Sequence, residues 1–371
     1  MSRRVVVLRG RAANPWDLRP WRELGADYDV AVLVPDTNDY ETGALGLEQV
    51  PVRTASSRLP GGRAGALLTR AVGERYLDLE PRLRGADVVH AAELGYWFSW
   101  QAARLKPRLG YKLALTVWET LPFAGAYRNV RTRRYAPAVL AATDLFLATT
   151  ERAKAALELE GAPADRIVVA PPGVVVEDFA PARSAAPPPG GHVILTAGRL
   201  VWEKGHQDVI RALALLRRRG HDVRLVIVGT GPERDRLARH AHELGVGGAV
   251  ELRGGVPYDA MPALYAQASC FVLASLPTMH WEEQFGMVLA EAMAAHVPVV
   301  AAASGAIPEV VGGSGTLFAS GDWAGLAGAL ERGPLAEPPG ARRAPEPDRL
   351  ERFSSGAAAA RLAAAYDRLL A

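Results

Sequence analysis

The chain has 371 residues, 49% of them apolar, with 43 basic and 40 acidic side chains for a net charge of +3. Its length fits about two domains with sizeable cores, and its charge, +4 over residues 1–190 and −1 over 191–371, is too mild for a nucleic-acid reader with a concentrated basic stripe. The longest apolar runs fall well short of the roughly 20 residues of a membrane span, no secretory apolar region follows Met1-Ser-Arg-Arg, and a lone cysteine, Cys270, makes a reducing cytoplasm the expected location.

Strand-like β-branched runs alternate with helical stretches along the whole chain, which predicts parallel α/β architecture. In the first half, strands are expected at 4–8, 30–34, 87–91, 112–118, 145–149 and 167–170. A Pro- and Gly-rich break at 181–191 reads as a linker. The pattern restarts with strands at 192–197, 223–228, 250–252, 270–274, 297–301 and 316–318, and with helices at 207–218, 232–244, 258–268 and 285–295. A second Pro/Gly/charge-rich stretch, 333–347, precedes a single amphipathic helix over 348–370. The expected organisation is therefore a Rossmann-like domain at 1–185, a second at 190–347, and a tail at 348–371 long enough to reach back to the first. Two doubly wound domains in tandem would place a ligand cleft at the carboxyl ends of their sheets.

Four segments of the second half carry chemistry. The first expected strand there runs into Thr196-Ala-Gly-Arg-Leu-Val-Trp-Glu-Lys-Gly205. Glycine lets the backbone turn and approach a ligand, while Arg199 and Lys204 offer a planar fork and a point charge for phosphate oxygens. The N-terminus of the following helix adds positive potential. Val228-Gly-Thr-Gly-Pro232 is a second glycine turn, through Gly229 and Gly231, and the loop Arg253–Val256 follows the next strand. Glu283 and Glu291 stand eight positions apart around the start of an apolar helix. Glu291 falls inside the apolar run, where a carboxylate without a partner is costly. Glu283 falls beside the N–H groups that a helix start leaves open. Such a set suits a polyhydroxylated anionic ligand; the bland alternative bonds Glu291 to neighbouring backbone and leaves Arg199 and Lys204 solvated.

Together, Gly198-Arg199-Leu200…Lys204-Gly205, Val228-Gly…Gly231, Glu283-x-Phe285-Gly286-x4-Glu291-Ala292 and Gly305-Ala-Ile-Pro-Glu-Val310 resemble the retaining glycosyltransferases of the GT-B fold, family 4. Arg166-Ile-Val-Val-Ala-Pro-Pro-Gly173…Phe179 is similar to the family's domain-joining strand. The resemblance implies that Arg199 and Lys204 neutralise the diphosphate of a nucleoside diphosphate sugar, UDP- or GDP-linked. It also implies that Glu291 accepts both ribose hydroxyls, that Glu283 binds the donor sugar, and that Gln284 and the amides of Phe285, Gly286 and Met287 line the donor. Arg253 and Val256 would face the base. No cofactor and no divalent metal is required in that scheme, because the Arg/Lys pair and the helix dipole screen the diphosphate.

The first half departs from the family pattern. Its first loop, Leu8-Arg-Gly-Arg11, has a single glycine, Gly10, where the family usually has two that touch the donor phosphate, with Arg9 or Arg11 to add charge, and Trp118-Glu119 stands where His-Asp is common. His90, Glu93, Trp118 and Glu119 are therefore the candidates on the side of a hydroxyl acceptor, with Tyr96, Trp97, Phe98 and Trp100 as possible stacking partners. His296 takes the place of a helix-ending glycine, which a left-handed His tolerates. Arg128, Arg131, Arg133 and Arg134 form a basic cluster that would suit peripheral contact with an anionic membrane. Two other functions compete with transfer: a nucleotide-sugar-binding protein that has lost turnover, and a glycoside hydrolase using the two glutamates.

Overall fold

The computed structural model describes residues 2–43, 46–59, 75–124, 132–186 and 190–371. They form two units, Met1–Gly173 with Ser355–Ala371, and Val174–Ser354. The first unit holds β1 (Arg3–Leu8), β2 (Tyr28–Pro35), β3 (Glu48–Val52), β4 (Val88–Ala92), β5 (Lys112–Val117), β6 (Leu145–Ala148) and β7 (Ile167–Val169). They pair in parallel in the order β3-β2-β1-β4-β5-β6-β7. The second unit holds β8 (His192–Ala197), β9 (Val223–Val228), β10 (Val250–Gly254), β11 (Cys270–Leu273), β12 (Val299–Ala302) and β13 (Gly315–Phe318). Their order is β10-β9-β8-β11-β12-β13, again parallel throughout. Central strands such as Val5-Val-Val-Leu8 and Cys270-Phe-Val-Leu273 are buried at every position, as expected of strands covered on both faces.

In each unit the sheet grows outward in both directions from its first strand. The points of reversal lie between β1 and β4 and between β8 and β11. Ligands of such sheets bind beyond the carboxyl ends of the strands at that point. Leu8 and Ala92 end the strands there in the first unit, and Ala197 and Leu273 in the second.

The unit division falls at 173/174 and 354/355, where the sequence suggested 185–190 and 347/348. Part of the expected linker is packed into the second unit instead: Ala182 is fully buried, next to Phe179 whose ring lies 5.7 Å from that of Tyr265, and Arg183 donates to the Ala294 carbonyl at 2.8 Å. The expected single tail helix is two helices, Pro347–Arg352 and Ser355–Leu370. The break is fixed by Phe353, whose ring packs edge-on against Phe285 at 5.3 Å and whose carbonyl accepts from Val174 N at 2.8 Å. Beyond it, Leu362, Ala365, Tyr366 and Leu369 join the core of the first unit with Val5, Val7 and Trp21. Among the described residues, no helix is long and apolar enough to cross a membrane.

Candidate functional site

In the second unit, three loops at the carboxyl ends of β8, β9 and β10 are laced together by backbone. Gly198 N donates to Val228 O (2.9 Å), Leu200 N to Thr230 O (2.8 Å) and Gly229 N to Gly254 O (2.7 Å). A side chain at Gly229 would put its Cβ 1.9 Å from the Gly198 carbonyl oxygen, so only glycine allows this approach. Gly231 follows in the same loop, against Leu200. Gly205, at φ +69°, has the same function under the short turn Trp202–Lys204: a Cβ there would lie 1.8 Å from Ala274 O. That contact seats the turn on the end of β11 and directs Lys204 across the switch point.

Lys204 meets Glu283. Nζ donates to Oε2 at 2.7 Å and to Oε1 at 3.0 Å, the Ser275 hydroxyl donates to Oε2 at 2.6 Å, and the Trp281 ring centroid lies 4.8 Å from Nζ. Glu283 is buried, and its own carbonyl accepts from Ala306 N at 2.8 Å. The expected sugar-binding acid and the expected phosphate-binding cation are therefore ion-paired with each other. Arg199, by contrast, is exposed.

The helix Met287–Ala294 begins after Gly286, which is left-handed at φ +83°, and its N–H groups from Met287 and Val288 precede the first bond, Leu289 N to Gly286 O. Phe285 is buried under this start, and Gln284 is half-buried beside it. Glu291 lies inside the helix, 4% exposed, with Oε2 accepting from the Tyr265 hydroxyl at 2.9 Å. Its partner is thus a tyrosine 26 positions away, not neighbouring backbone. Burial pushes the Glu291 carboxyl up to about 7, against the hydrogen bonds from Tyr265 and Tyr258. Arg253 is taken up along its own strand by Glu251 (2.6 Å), which leaves only backbone and Val256 on that loop for a base. A residue the sequence did not single out, His206, is buried beneath the first loop, its Nε2 3.3 Å from Arg199 O and its Nδ1 3.4 Å from Thr196 Oγ1. Burial holds its imidazole down to about 4, so it is a neutral support for the loop.

In the first unit, Glu93, Trp118 and Glu119 follow β4 and β5. Glu93 has a left-handed backbone, φ +58°, and accepts from Trp118 N at 2.7 Å; burial pushes its carboxyl up to about 8. Glu119 folds back on its own loop, accepting from Thr120 N and Leu121 N at 3.0 Å each. Two candidates are placed differently from expectation. His90 is fully buried, with Nδ1 2.6 Å from the Tyr366 hydroxyl and Nε2 2.7 Å from Thr116 Oγ1. Both ring nitrogens are consumed by the fold, so it holds strands to the C-terminal helix and reaches no acceptor. The Gly10 amide, expected for phosphate, donates instead to the Tyr76 hydroxyl at 3.1 Å.

Of the aromatic run, Phe98 is buried against Tyr76, while Trp97 and Trp100 pack on Tyr135 at 4.5 and 5.1 Å. Arg133 and Arg134 are exposed at the start of the helix Thr132–Ala142; Arg128 and Arg131 lie outside the described residues. The sequence contains one Asp-x-Asp triplet, Asp27-Tyr28-Asp29. It leads into the amino end of β2, opposite the switch point, with Asp29 ion-paired to Arg4 at 2.6 Å.

Comparison with known proteins points the same way. The family described as "Glycosyl transferases group 1" matches residues 181–334, and "Glycosyl transferase 4-like domain" matches residues 17–173. A GDP-mannose-dependent alpha-(1-6)-phosphatidylinositol monomannoside mannosyltransferase of Mycolicibacterium smegmatis is 41% identical over 162 residues, 40% of this chain and 41% of that protein. A D-inositol 3-phosphate glycosyltransferase of Acidothermus cellulolyticus is 34% identical over 273 residues, 66% of this chain and 59% of that protein. The match thus spans between two-fifths and three-fifths of these relatives' length. Among solved structures, Anabaena HepE in complex with UDP and glucose superposes with a TM-score of 0.71 at 18% identity, covering 99% of this chain and 100% of that one. Sucrose-phosphate synthase from Thermosynechococcus elongatus gives 0.73 at 20% identity, with 99% of each chain covered. At such identities the two structures speak for the fold alone.

Proposed function

Because the chain belongs to the group 1 glycosyltransferases of the GT-B fold, family 4, we propose that it transfers a sugar from a nucleoside diphosphate sugar to a hydroxyl acceptor with retention at the anomeric carbon. The observation that carries this reading is the cluster in the second unit: Lys204 on Glu283, with Glu291 and the open amides of Met287 and Val288 on the adjoining helix. Diphosphate oxygens replace the Glu283 carboxylate as partners of Lys204, with Arg199 swinging in from solvent as the second cation. Glu283 is then released to accept from sugar hydroxyls, and Glu291 accepts from the ribose diol.

In the transfer step the acceptor oxygen bonds to the anomeric carbon as the bond from that carbon to the diphosphate breaks. The departing diphosphate oxygen takes the acceptor's proton on the same face. No carboxylate nucleophile is needed, which favours transfer over the two-glutamate hydrolysis. Charge on the leaving diphosphate is met by the cations and the helix N-terminus, so the reaction proceeds without a divalent metal. GDP- and UDP-linked sugars are the donors of choice, since the mycobacterial relative is described as GDP-mannose-dependent and the Anabaena structure holds UDP.

The experiment is nucleotide release from a panel of UDP- and GDP-sugars in the presence of EDTA, with product anomers read by NMR. Release that needs a donor sugar and gives a retained anomer supports the reading. Tight nucleotide binding with no release from any donor defeats it in favour of a binding protein, and an inverted anomer defeats retention.

A further inference from the structure

Arg9 follows β1 at the switch point of the first unit and is only 6% exposed. Its guanidinium lies 4.7 Å from the Trp21 ring centroid and, among the described residues, makes one hydrogen bond, from Nη2 to Thr116 Oγ1 at 3.2 Å. Nε and Nη1 have no partner among the described residues. Asp17 and Glu93 act on it through space, yet neither forms an ion pair with it among the described residues. The guanidinium cannot shed its proton to escape burial, and an unpaired buried charge costs several kcal/mol. Thr116 is already shared with His90, and the Asp17 carboxylate, which lines a cavity with Arg9, makes no hydrogen bond or ion pair with it among the described residues.

Arg9 lines a cavity of 40 Å³ with Asp17, Trp21, Thr116, Trp118, Thr149 and Pro171, all from the first unit. That volume exceeds what one water requires. The unpaired N–H groups of Nε and Nη1 lie on different edges of the guanidinium and are free to donate to oxygens of a phosphate or carboxylate, a charge-assisted pairing. A guanidinium kept only for packing would be replaced at no loss by methionine, and its charge would not need a solvent-reachable pocket.

We propose that Arg9 forms the floor of an oxyanion subsite in the first unit, which takes a phosphate or carboxylate group of the second substrate. The identity of that substrate rests on the transferase reading, but the subsite can be tested without any transfer. Asp17 lines the same cavity and would oppose an anion when ionised; burial pushes its carboxyl up, toward the neutral form.

The test is calorimetric titration of inorganic phosphate, and separately of acetate, into the full chain, alongside Arg9→Met, Arg9→Lys and Arg199→Ala. Arg199→Ala weakens phosphate binding in the second unit, where Lys204 and the helix amides remain, and leaves the site counted here untouched. Expected is one saturable anion site that survives Arg199→Ala, weakens at least tenfold in Arg9→Lys and vanishes in Arg9→Met. Preference for phosphate or for acetate identifies the group. Arg9→Met should also melt higher than the parent without anion, and its melting should no longer respond to phosphate. Anion binding unchanged in Arg9→Met, absence of the site in the parent, or a destabilised Arg9→Met whose anion response is intact would each overturn the subsite. Should nucleotide release from donor sugars persist through such a result, the transferase reading stands without it.

Discussion

Lys204 Nζ bridges both oxygens of Glu283, at 2.7 and 3.0 Å, with the two side chains 14% and 7% exposed. Under the proposed function a donor separates them, its diphosphate taking the place of the carboxylate on Lys204 and its sugar hydroxyls that of the ammonium on Glu283. Removing one member of a buried pair strands the other, at a cost of roughly 3–5 kcal/mol.

Lys204→Ala is therefore expected to lower both stability and turnover, since among the described residues Glu283 keeps only the Ser275 hydroxyl as a side-chain partner. Glu283→Gln keeps a hydrogen-bonding group against Ser275 and should be the milder change in stability while still losing turnover. Loss of one such charge from a preorganised site reduces kcat by about 10²–10³. Urea melts and nucleotide release on the two variants check this; a fully active Lys204→Ala would remove Lys204 from the site.

The role proposed for Glu291 predicts a pH dependence of nucleotide binding. Only the ionised carboxylate accepts from both hydroxyls of a ribose diol, and burial puts this carboxyl at about 7. Nucleotide affinity should therefore fall as pH drops, by about tenfold between pH 8 and pH 6. Stability runs the other way. A carboxyl raised in the folded state binds its proton more tightly there than in the unfolded chain, so its contribution is complete below about 4.5 and is lost as pH rises through about 7. Glu291→Gln should thus be more stable than the parent at pH 8 and should show flat, weak nucleotide binding from pH 6 to 8. Fluorescence titration with GDP and UDP at the two pH values reads both claims.

His296 ends the helix Met287–Ala294 in a left-handed conformation, φ +56°, two residues past its last turn. The family resemblance put it where a helix-ending glycine is usual, and its backbone has the left-handed conformation such a position takes. An L-residue there costs about 1 kcal/mol relative to glycine. His296→Gly is expected to raise the urea midpoint by a corresponding amount without altering nucleotide release; an unchanged or lower midpoint would mean that the imidazole contributes packing of its own.

Legibility followed the range of the interaction. The buried parallel strands and the helix from Met287 were readable because apolar runs of that length have few other uses. The site loops were readable because glycine and cation spacing is local. β3 was missed: Glu48-Gln-Val-Pro-Val52 carries two polar residues and a proline, which an edge strand tolerates and a pattern search rejects. The break at Phe353 was invisible because the apolar period runs through it, and the ring contact with Phe285 that causes it joins distant segments. The partners of Glu291 and His90 were hidden for the same reason, since Tyr265 and Tyr366 lie 26 and 276 positions away.

Tyr366 tests the last of these contacts. Its hydroxyl accepts from Trp21 Nε1 at 2.8 Å and meets His90 Nδ1 at 2.6 Å, and all three side chains are buried in the first unit. Tyr366→Phe keeps the ring but strips a partner from both. A buried polar group left unsatisfied costs about 1–3 kcal/mol, so the variant should unfold several degrees below the parent. His90 adds a direction to the pH axis. Burial, and then the Arg9 charge, hold its imidazole well below the ordinary 6.5. The unfolded chain therefore takes up a proton that the folded unit refuses, and stability present above pH 6.5 is lost progressively as pH falls below it. Melts of the parent at pH 5.5 and 7.5, with His90→Asn beside it, should show the acid-side loss shrinking in the variant. An equal loss in both would assign the acid sensitivity to other groups and leave His90 a spectator of its own network.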